Sequence, residues 1–306
     1  MDIARLSPVL LLPLIVSIGF IASRVGWIDR EHAGILPQII VNIAYPAMIL
    51  TSVTSVDIRL LTTESVIVIV ATLVITFALY GLGVVALRRY GNAQRRPIIV
   101  LALTVGNIAY MALPIIRMLF GEAGVYYAML HSAAQDLAIW TVCYAYFAGG
   151  GTFSGFKLRK MVSPAFVMLA LGIVLSLAGI ELGGVVEETL VMISKMTTPI
   201  ALLYVGCIIA GKDYKWKLDR DSVLVALTKV ILIPIVVFCV LRLCRVPNHL
   251  TWMLTIMFGS PVTVLGTVWA QQFNLDMSFA IRSSVLLIVL FLTVACAGVV
   301  VYSSFF

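Results

Sequence analysis

The chain has 306 residues, of which 62% are hydrophobic and 11% are charged. A soluble domain carries about 25% charged residues, and a soluble globule has no means of hiding so much apolar surface, so soluble and disordered proteins are excluded. Five cysteines, all within apolar runs, are too few for a disulfide-rich secreted module. The composition predicts a membrane protein built almost entirely of spans.

The net charge of +7 comes from 21 Lys and Arg against 14 Asp and Glu. Most basic residues lie in short connectors between apolar runs, which is how charge marks the cytoplasmic side of a membrane protein. No basic and aromatic patch typical of a nucleic-acid interface is present in the sequence. We therefore expect a lipid bilayer as the surroundings and no nucleic acid as a partner.

Ten apolar segments follow one another along the chain, and most are long enough to cross about 30 Å of hydrocarbon as helices. They cover residues 6–23, 33–55, 65–87, 97–119, 123–147, 163–181, 186–210, 221–243, 250–273 and 278–302. None shows the alternation of a membrane β-barrel strand. The predicted fold class is an all-α polytopic membrane protein with ten transmembrane helices.

The distribution of Lys and Arg predicts the orientation of these segments. Connectors after odd-numbered segments carry thirteen basic residues, and the opposite side carries five. The richer side faces the cytoplasm by the positive-inside rule. Both termini are then expected outside, with the longest connector, GGGTFSGFKLRK at 149–160, in the cytoplasm. The expected location is a plasma membrane, as the inner membrane of a bacterium.

Helix-breaking residues recur at an offset of half the chain, which indicates an internal repeat. The pairs separated by 153 residues are Pro46 and Pro199, Gly106 and Gly259, and Phe120 and Phe273. Five spans per half is an odd number, so the second half would enter the membrane inverted, as in secondary transporters. We predict a first repeat at 1–148, a cytoplasmic linker at 149–162 and a second repeat at 163–306. Coincidence among 22 glycines and 11 prolines is the alternative.

The fourth and ninth segments each combine glycine, a polar residue and proline in the middle of the membrane. The fourth contains Gly106-Asn107 and Pro114, and the ninth contains Gly259-Ser260-Pro261. These residues interrupt a helix, and the freed backbone groups must face protein or a watery cavity. Two interrupted helices that cross would point positive N-terminal ends at one place, a site for an anion. A simple proline kink is the alternative.

The fifth segment adds polar side chains near the middle of the membrane. They include His131, Ser132, Gln135 and Asp136. An acidic residue at this depth is a functional candidate by default, so Asp136 is predicted either to carry a proton or to hydrogen-bond a neighbouring helix break. Lys229 in the eighth segment is expected to pair with an acid or to cap the carbonyl groups of a broken helix.

The sequence contains no phosphate-binding loop, no nucleophile elbow and no metal-spaced cluster of Cys and His. We therefore expect a protein that is not an enzyme and that needs no cofactor or metal.

The stretch GNIAYMALPIIRMLFGEAG resembles the fourth-span pattern of the auxin efflux carrier family. SPVTVLGTVWAQQFNLDMSFAI resembles the corresponding late segment, and the five-plus-five layout fits nearly the whole chain. The family includes plant PIN exporters and bacterial carriers of malonate or malate type. The resemblance implies crossed, broken fourth and ninth helices with substrate beside the crossing. It places the crossing asparagine at Asn107 and the crossing prolines at Pro114 and Pro261. Relatives imply a homodimer through the second and seventh spans.

Together these observations predict a secondary active transporter of a small organic anion, auxin-like or a dicarboxylate. Spans one, two, six and seven are expected to rock against the crossing bundle for alternating access. The predicted substrate-binding residues are Gly106, Asn107, Tyr110, Pro114, Gln135, Gly259, Ser260 and Pro261. Coupling to protons through Asp136 is one option. A sodium-coupled symporter is an alternative, and a substrate-gated channel or receptor is an alternative of another class.

Overall fold

The computed structural model describes residues 3–28, 34–54, 62–149, 151, 164–210, 218–261 and 265–305. All regular secondary structure within these ranges is helical. Most of the linker expected at 149–162 lies outside the described residues.

The first half of the chain contains six helices among the described residues. They are α1 (Ile3–Val25), α2 (Ile35–Thr54), α3 (Thr63–Ala86), α4 (Arg96–Thr104), α5 (Leu113–Ala138) and α6 (Tyr144–Ala148). A π turn at Ile108–Ala112 leads into α5, and another at Ile139–Cys143 joins α5 to α6. Gly121 breaks α5 with φ 64° and ψ −158°, a conformation that strongly favours glycine. The break lies between the fourth and fifth apolar segments.

The second half contains seven described helices. They are α7 (Pro164–Ala178), α8 (Gly184–Lys195), α9 (Thr197–Ile209), α10 (Arg220–Leu243), α11 (Asn248–Gly259), α12 (Leu265–Gln272) and α13 (Met277–Phe305). A π turn at Thr228–Leu232 lies in the middle of α10. Helices from the two halves together overlap each of the ten apolar segments.

Five helical stretches of the described residues are long and apolar enough to cross a membrane. They are Ile35–Thr54, Thr63–Ala86, Gly184–Cys207, Arg220–Leu243 and Met277–Ala295. Large apolar side chains are exposed along several helices, and Val74, Leu82 and Val185 are examples. An apolar outer surface of this kind is suited to contact with lipid.

The helices pack into two groups. The first bundle consists of α1, α2, α7, α8 and α9, in which α1 packs along α9 while α2 packs along α7 and α8. The crossing bundle contains α3, α4, α5, α10, α11, α12 and α13, in which α3 contacts α4 and α5 while α10 contacts α11 and α13. The two interrupted helices therefore lie in one bundle.

Two polar networks mark opposite sets of connectors. Arg95, which precedes α4, pairs with Asp219 at 3.4 Å, Asp221 at 3.0 Å and Asp276 at 2.8 Å. These carboxylates precede or begin α10 and α13, so the connectors after the third, seventh and ninth segments meet at one end. The second network centres on Glu64. Its Oε2 atom accepts a 2.5 Å hydrogen bond from the Tyr127 hydroxyl, and its Oε1 atom lies 3.3 Å from Nε2 of His249.

Candidate functional site

The first interruption lies immediately after α4. The helix ends at Thr104, Val105 is extended with φ −101° and ψ 148°, and regular structure resumes at Ile108. The carbonyl of Asn107 accepts hydrogen bonds from the N–H groups of Met111 at 3.2 Å and Ala112 at 3.4 Å. Asn107 thus starts the new helix, and the backbone of Pro114 lies in its next turn rather than at the break.

The second interruption lies after α11. This helix ends at Gly259, and Ser260 is extended with φ −66° and ψ 141°. Helix α12 begins at Leu265, and residues 262–264 lie outside the described residues. The buried Ser260 hydroxyl donates a 2.7 Å hydrogen bond to the carbonyl of Met257. The serine side chain therefore caps the end of α11.

The two interruptions touch. The N–H of Asn107 donates a 3.0 Å hydrogen bond to the carbonyl of Pro261. A Cβ atom placed on Gly106 would lie 2.3 Å from the Ser260 hydroxyl oxygen and 2.8 Å from the Met257 carbonyl oxygen. The absence of a side chain at Gly106 is what allows the backbones to approach this closely.

Gln135 of α5 fixes the first interruption from the side. Its Oε1 atom accepts a 3.1 Å hydrogen bond from the N–H of Gly106. The side chain is almost completely buried, and its Nε2 atom has no hydrogen-bond partner among the described residues. An amide donor is therefore available directly beside the broken backbone.

Asp136 points to a different neighbour from the one that Gln135 contacts. Its buried carboxyl group is hydrogen-bonded to Ser52 of α2, and Tyr45 of the same helix lies close by. Successive residues on a helix point about 100° apart, which explains why Gln135 reaches the crossing while Asp136 reaches α2. Asp136 thus joins the crossing bundle to the first bundle.

His131 has the contacts of a packing residue. Its Nδ1 atom is 2.8 Å from the hydroxyl oxygen of Thr72, and its ring meets the ring of Phe258 edge-on at 5.0 Å. The ring is fully buried, and Nε2 has no partner among the described residues. The contacts hold α3, α5 and α11 together behind the crossing.

The structure brings together most of the residues that the sequence indicated. Gly106, Asn107, Gln135, Ser260 and Pro261 meet at the crossing, and Gly259 packs against Pro234 of α10. The side chains of Tyr110 and Pro114 lie outside the described part of the structure. Ser52 is a functional candidate only in the folded structure, because a lone serine in an apolar helix carries no signal until its partner is known. Within the described residues, no three His, Cys, Asp or Glu side chains are grouped to hold a metal ion.

A family model described as membrane transport protein matches residues 5–300. The chain belongs to this auxin efflux carrier family. The family predicted from the sequence is thereby confirmed. As a member of the auxin efflux carrier family, the protein is a multi-pass membrane transporter that acts within a lipid bilayer, with a small molecule as its expected type of substrate. No curated protein matches the chain.

Proposed function

We propose that this member of the auxin efflux carrier family is a secondary active transporter of a small organic anion, auxin-like or a dicarboxylate. The observation that carries the proposal is the hydrogen bond between Asn107 N–H and the Pro261 carbonyl, because it joins two interrupted helices. New helical segments begin after both interruptions, at Ile108 and Leu265, and the positive ends of their dipoles are the proposed attraction for an anion.

The substrate carboxylate binds on the side of the crossing formed by Gly106 and Asn107. Both residues are partly accessible, whereas Ser260 and Pro261 are buried. The Asn107 side chain and the Nε2 donor of Gln135 hold the carboxylate. Ser260 is assigned as a positioning residue because its hydroxyl already caps Met257, while Tyr110, Pro114 and Gly259 belong to the walls of the site.

Alternating access arises from rocking of the first bundle against the crossing bundle. Asp136 contacts Ser52 across the junction of the two bundles, so protonation of Asp136 changes the interaction between the moving parts. This coupling of protons to transport is part of the proposal.

The packing pattern supports a repeat of residues 1–148 in residues 163–306. The pair α1 and α9 corresponds under exchange of the halves to α7 and α2, and α3 with α5 corresponds to α10 with α13. A ten-span inverted repeat in a bacterial inner membrane, with both termini outside and assembly as a homodimer, is included in the proposal.

A ligand screen on purified protein tests the anion site. Thermal unfolding is measured with dicarboxylates, indole carboxylates and simple monocarboxylates, for the wild type and for Asn107→Ala. We expect at least one anion to raise the Tm of the wild type and to lose most of this effect in the variant. Asn92→Ala is the matched control, because Asn92 lies in an exposed connector.

An anion that stabilises Asn107→Ala as strongly as the wild type would place the site elsewhere. Proteoliposome uptake of the best anion, with saturation and counterflow, then distinguishes a carrier from a channel, since a channel passes current without exchange.

A further inference from the structure

Lys229 is a fully buried lysine next to the crossing. It lies in the π turn of α10, and its Nζ atom is 3.4 Å from the carbonyl oxygen of Leu103, near the end of α4. Among the described residues no carboxylate is within salt-bridge distance of it, and His131 is its electrostatic neighbour on α5. Burial of a charged amine inside a membrane protein costs free energy unless the amine has a hydrogen-bond partner. The Leu103 carbonyl at the crossing is that partner.

The end of α4 has lost its ordinary hydrogen-bond donors. In an uninterrupted helix the N–H groups of Gly106 and Asn107 would donate to the carbonyls of Ala102 and Leu103. Here they donate to Gln135 and Pro261 instead. The carbonyl end of α4 therefore combines freed oxygen atoms with the negative end of a helix dipole, which is a favourable environment for a cation.

The carbonyl ends of the two interrupted helices, α4 and α11, have different hydrogen-bond partners. At the end of α11 the Ser260 hydroxyl and N–H both donate to Met257, so a neutral group satisfies the carbonyl. The residue 153 positions before Lys229 is Thr76, which is buried and whose hydroxyl has no partner among the described residues. Among the described residues, a lysine amine therefore meets the α4 end, whereas a neutral hydroxyl meets the α11 end.

We propose that the ammonium group of Lys229 is a built-in cation that occupies the place of a sodium ion at the end of α4 and makes the carrier independent of sodium. Sodium prefers hard oxygen ligands such as backbone carbonyls, so the freed carbonyls of Ala102 and Leu103 are suitable ligands once the lysine is removed. The inference deepens the proposed function, but it concerns the cation at the crossing and is testable without any organic anion.

The test measures thermal unfolding in sodium chloride and in choline chloride at equal ionic strength. We expect the wild type to have the same Tm in both salts. In choline chloride, Lys229→Ala should have a lower Tm than the wild type. Sodium restores part of this loss in Lys229→Ala, by about 3 °C or more at saturation, because the truncated side chain leaves room for the ion. Lys229→Met also removes the charge but refills the space, so sodium gives it no recovery.

Lys195→Ala is the control for loss of a lysine, since Lys195 ends α8 and is exposed. Sodium-specific stabilisation of the wild type, or binding of radioactive sodium to it, would overturn the inference. So would equal Tm values of Lys229→Ala in the two salts. If the alanine variant folds in neither salt, the sodium-binding measurement on the wild type decides, with no binding supporting the built-in cation. An anion screen that fails while these results hold would reject the proposed substrate and leave the role of Lys229 intact.

Discussion

At position 106 the crossing has room only for a hydrogen atom. We predict that Gly106→Ala destabilises the protein by about 1–3 kcal/mol, because the added methyl group would overlap the Ser260 side chain and the Met257 carbonyl. The measurement is thermal unfolding in detergent. Gly81→Ala is the matched control, since a Cβ atom at that helical position meets no atom within 4 Å. Equal Tm values for the two variants would contradict the close contact of the breaks.

Asp136 supplies the second prediction at the residue scale. We expect Asp136→Asn to abolish the acceleration of anion uptake by an imposed proton gradient, because an amide keeps the shape of the carboxyl group but does not take up a proton. Proteoliposomes loaded at different pH values provide the measurement. Glu187→Gln, on the exposed first turn of α8, is the control. If a proton gradient still accelerated anion uptake in Asp136→Asn, Asp136 would have no role in proton coupling, and its role would be the hydrogen bond to Ser52.

At the scale of the helices, the first bundle is held together by an unusually close approach of α1 and α9. A Cβ atom on Gly19 would lie 2.2 Å from the carbonyl oxygen of Leu203, and one on Gly206 would lie 2.2 Å from that of Val16. Small residues that let two backbones approach are a common source of helix association in membranes, where the hydrophobic effect does not drive helices together.

Gly206→Ala is predicted to force these helices apart and to destabilise the protein by about 2 kcal/mol or more, because the clash is with backbone atoms that have no alternative rotamer. Thermal unfolding again measures the effect. Gly183→Ala, a position with open space around it, serves as the comparison. If Gly206→Ala were as stable as Gly183→Ala, the close approach of α1 and α9 would contribute nothing to the stability of the protein.

Over the whole molecule, the Arg95 network joins connectors that are far apart in the sequence. Burial by itself would raise the pKa of Asp219, but hydrogen bonds from Ser222 and the positive charges of Arg95 and Arg282 hold it below its ordinary value. A lowered carboxyl pKa contributes stability above the ordinary value of about 4, and this contribution is lost as the pH falls through the lowered pKa.

We predict that Arg95→Gln lowers the stability of the protein near neutral pH by about 2 kcal/mol, after allowance for screening by solvent. The difference from the wild type should shrink as the pH falls through the lowered pKa of Asp219, because this carboxylate then loses its charge in both proteins. Thermal unfolding across a pH series measures it. Arg89→Gln removes an exposed charge from the same connector and is expected to have little effect. A pH-independent deficit in Arg95→Gln would show that packing, not charge pairing, is lost.

The orientation of the whole molecule is testable with a native side chain. Cys244 is exposed just after α10, in a connector that the distribution of Lys and Arg predicts to lie outside. We predict that a membrane-impermeant maleimide labels it in intact cells. Arg89→Cys in a Cys244→Ser background should be labelled only after the cells are opened. The reverse pattern would invert the topology.

The membrane class, the ten apolar segments and the two interruption sites were all predictable from the amino-acid sequence. Each of these depends on local physical chemistry: an apolar run of sufficient length forms a helix in lipid, while glycine and proline interrupt it. The family resemblance at Asn107 and Pro261 was also recognisable from the sequence, because each residue lies in a contiguous motif.

The packed structure was needed to learn which groups satisfy the interrupted backbone. It assigned Gln135 to Gly106, Lys229 to Leu103 and Ser260 to Met257. It also separated Asp136, which contacts α2, from its neighbour Gln135. Partners for freed N–H and carbonyl groups come from helices distant in the sequence, and neither hydrophobic pattern nor residue spacing records which helix will lie beside a break.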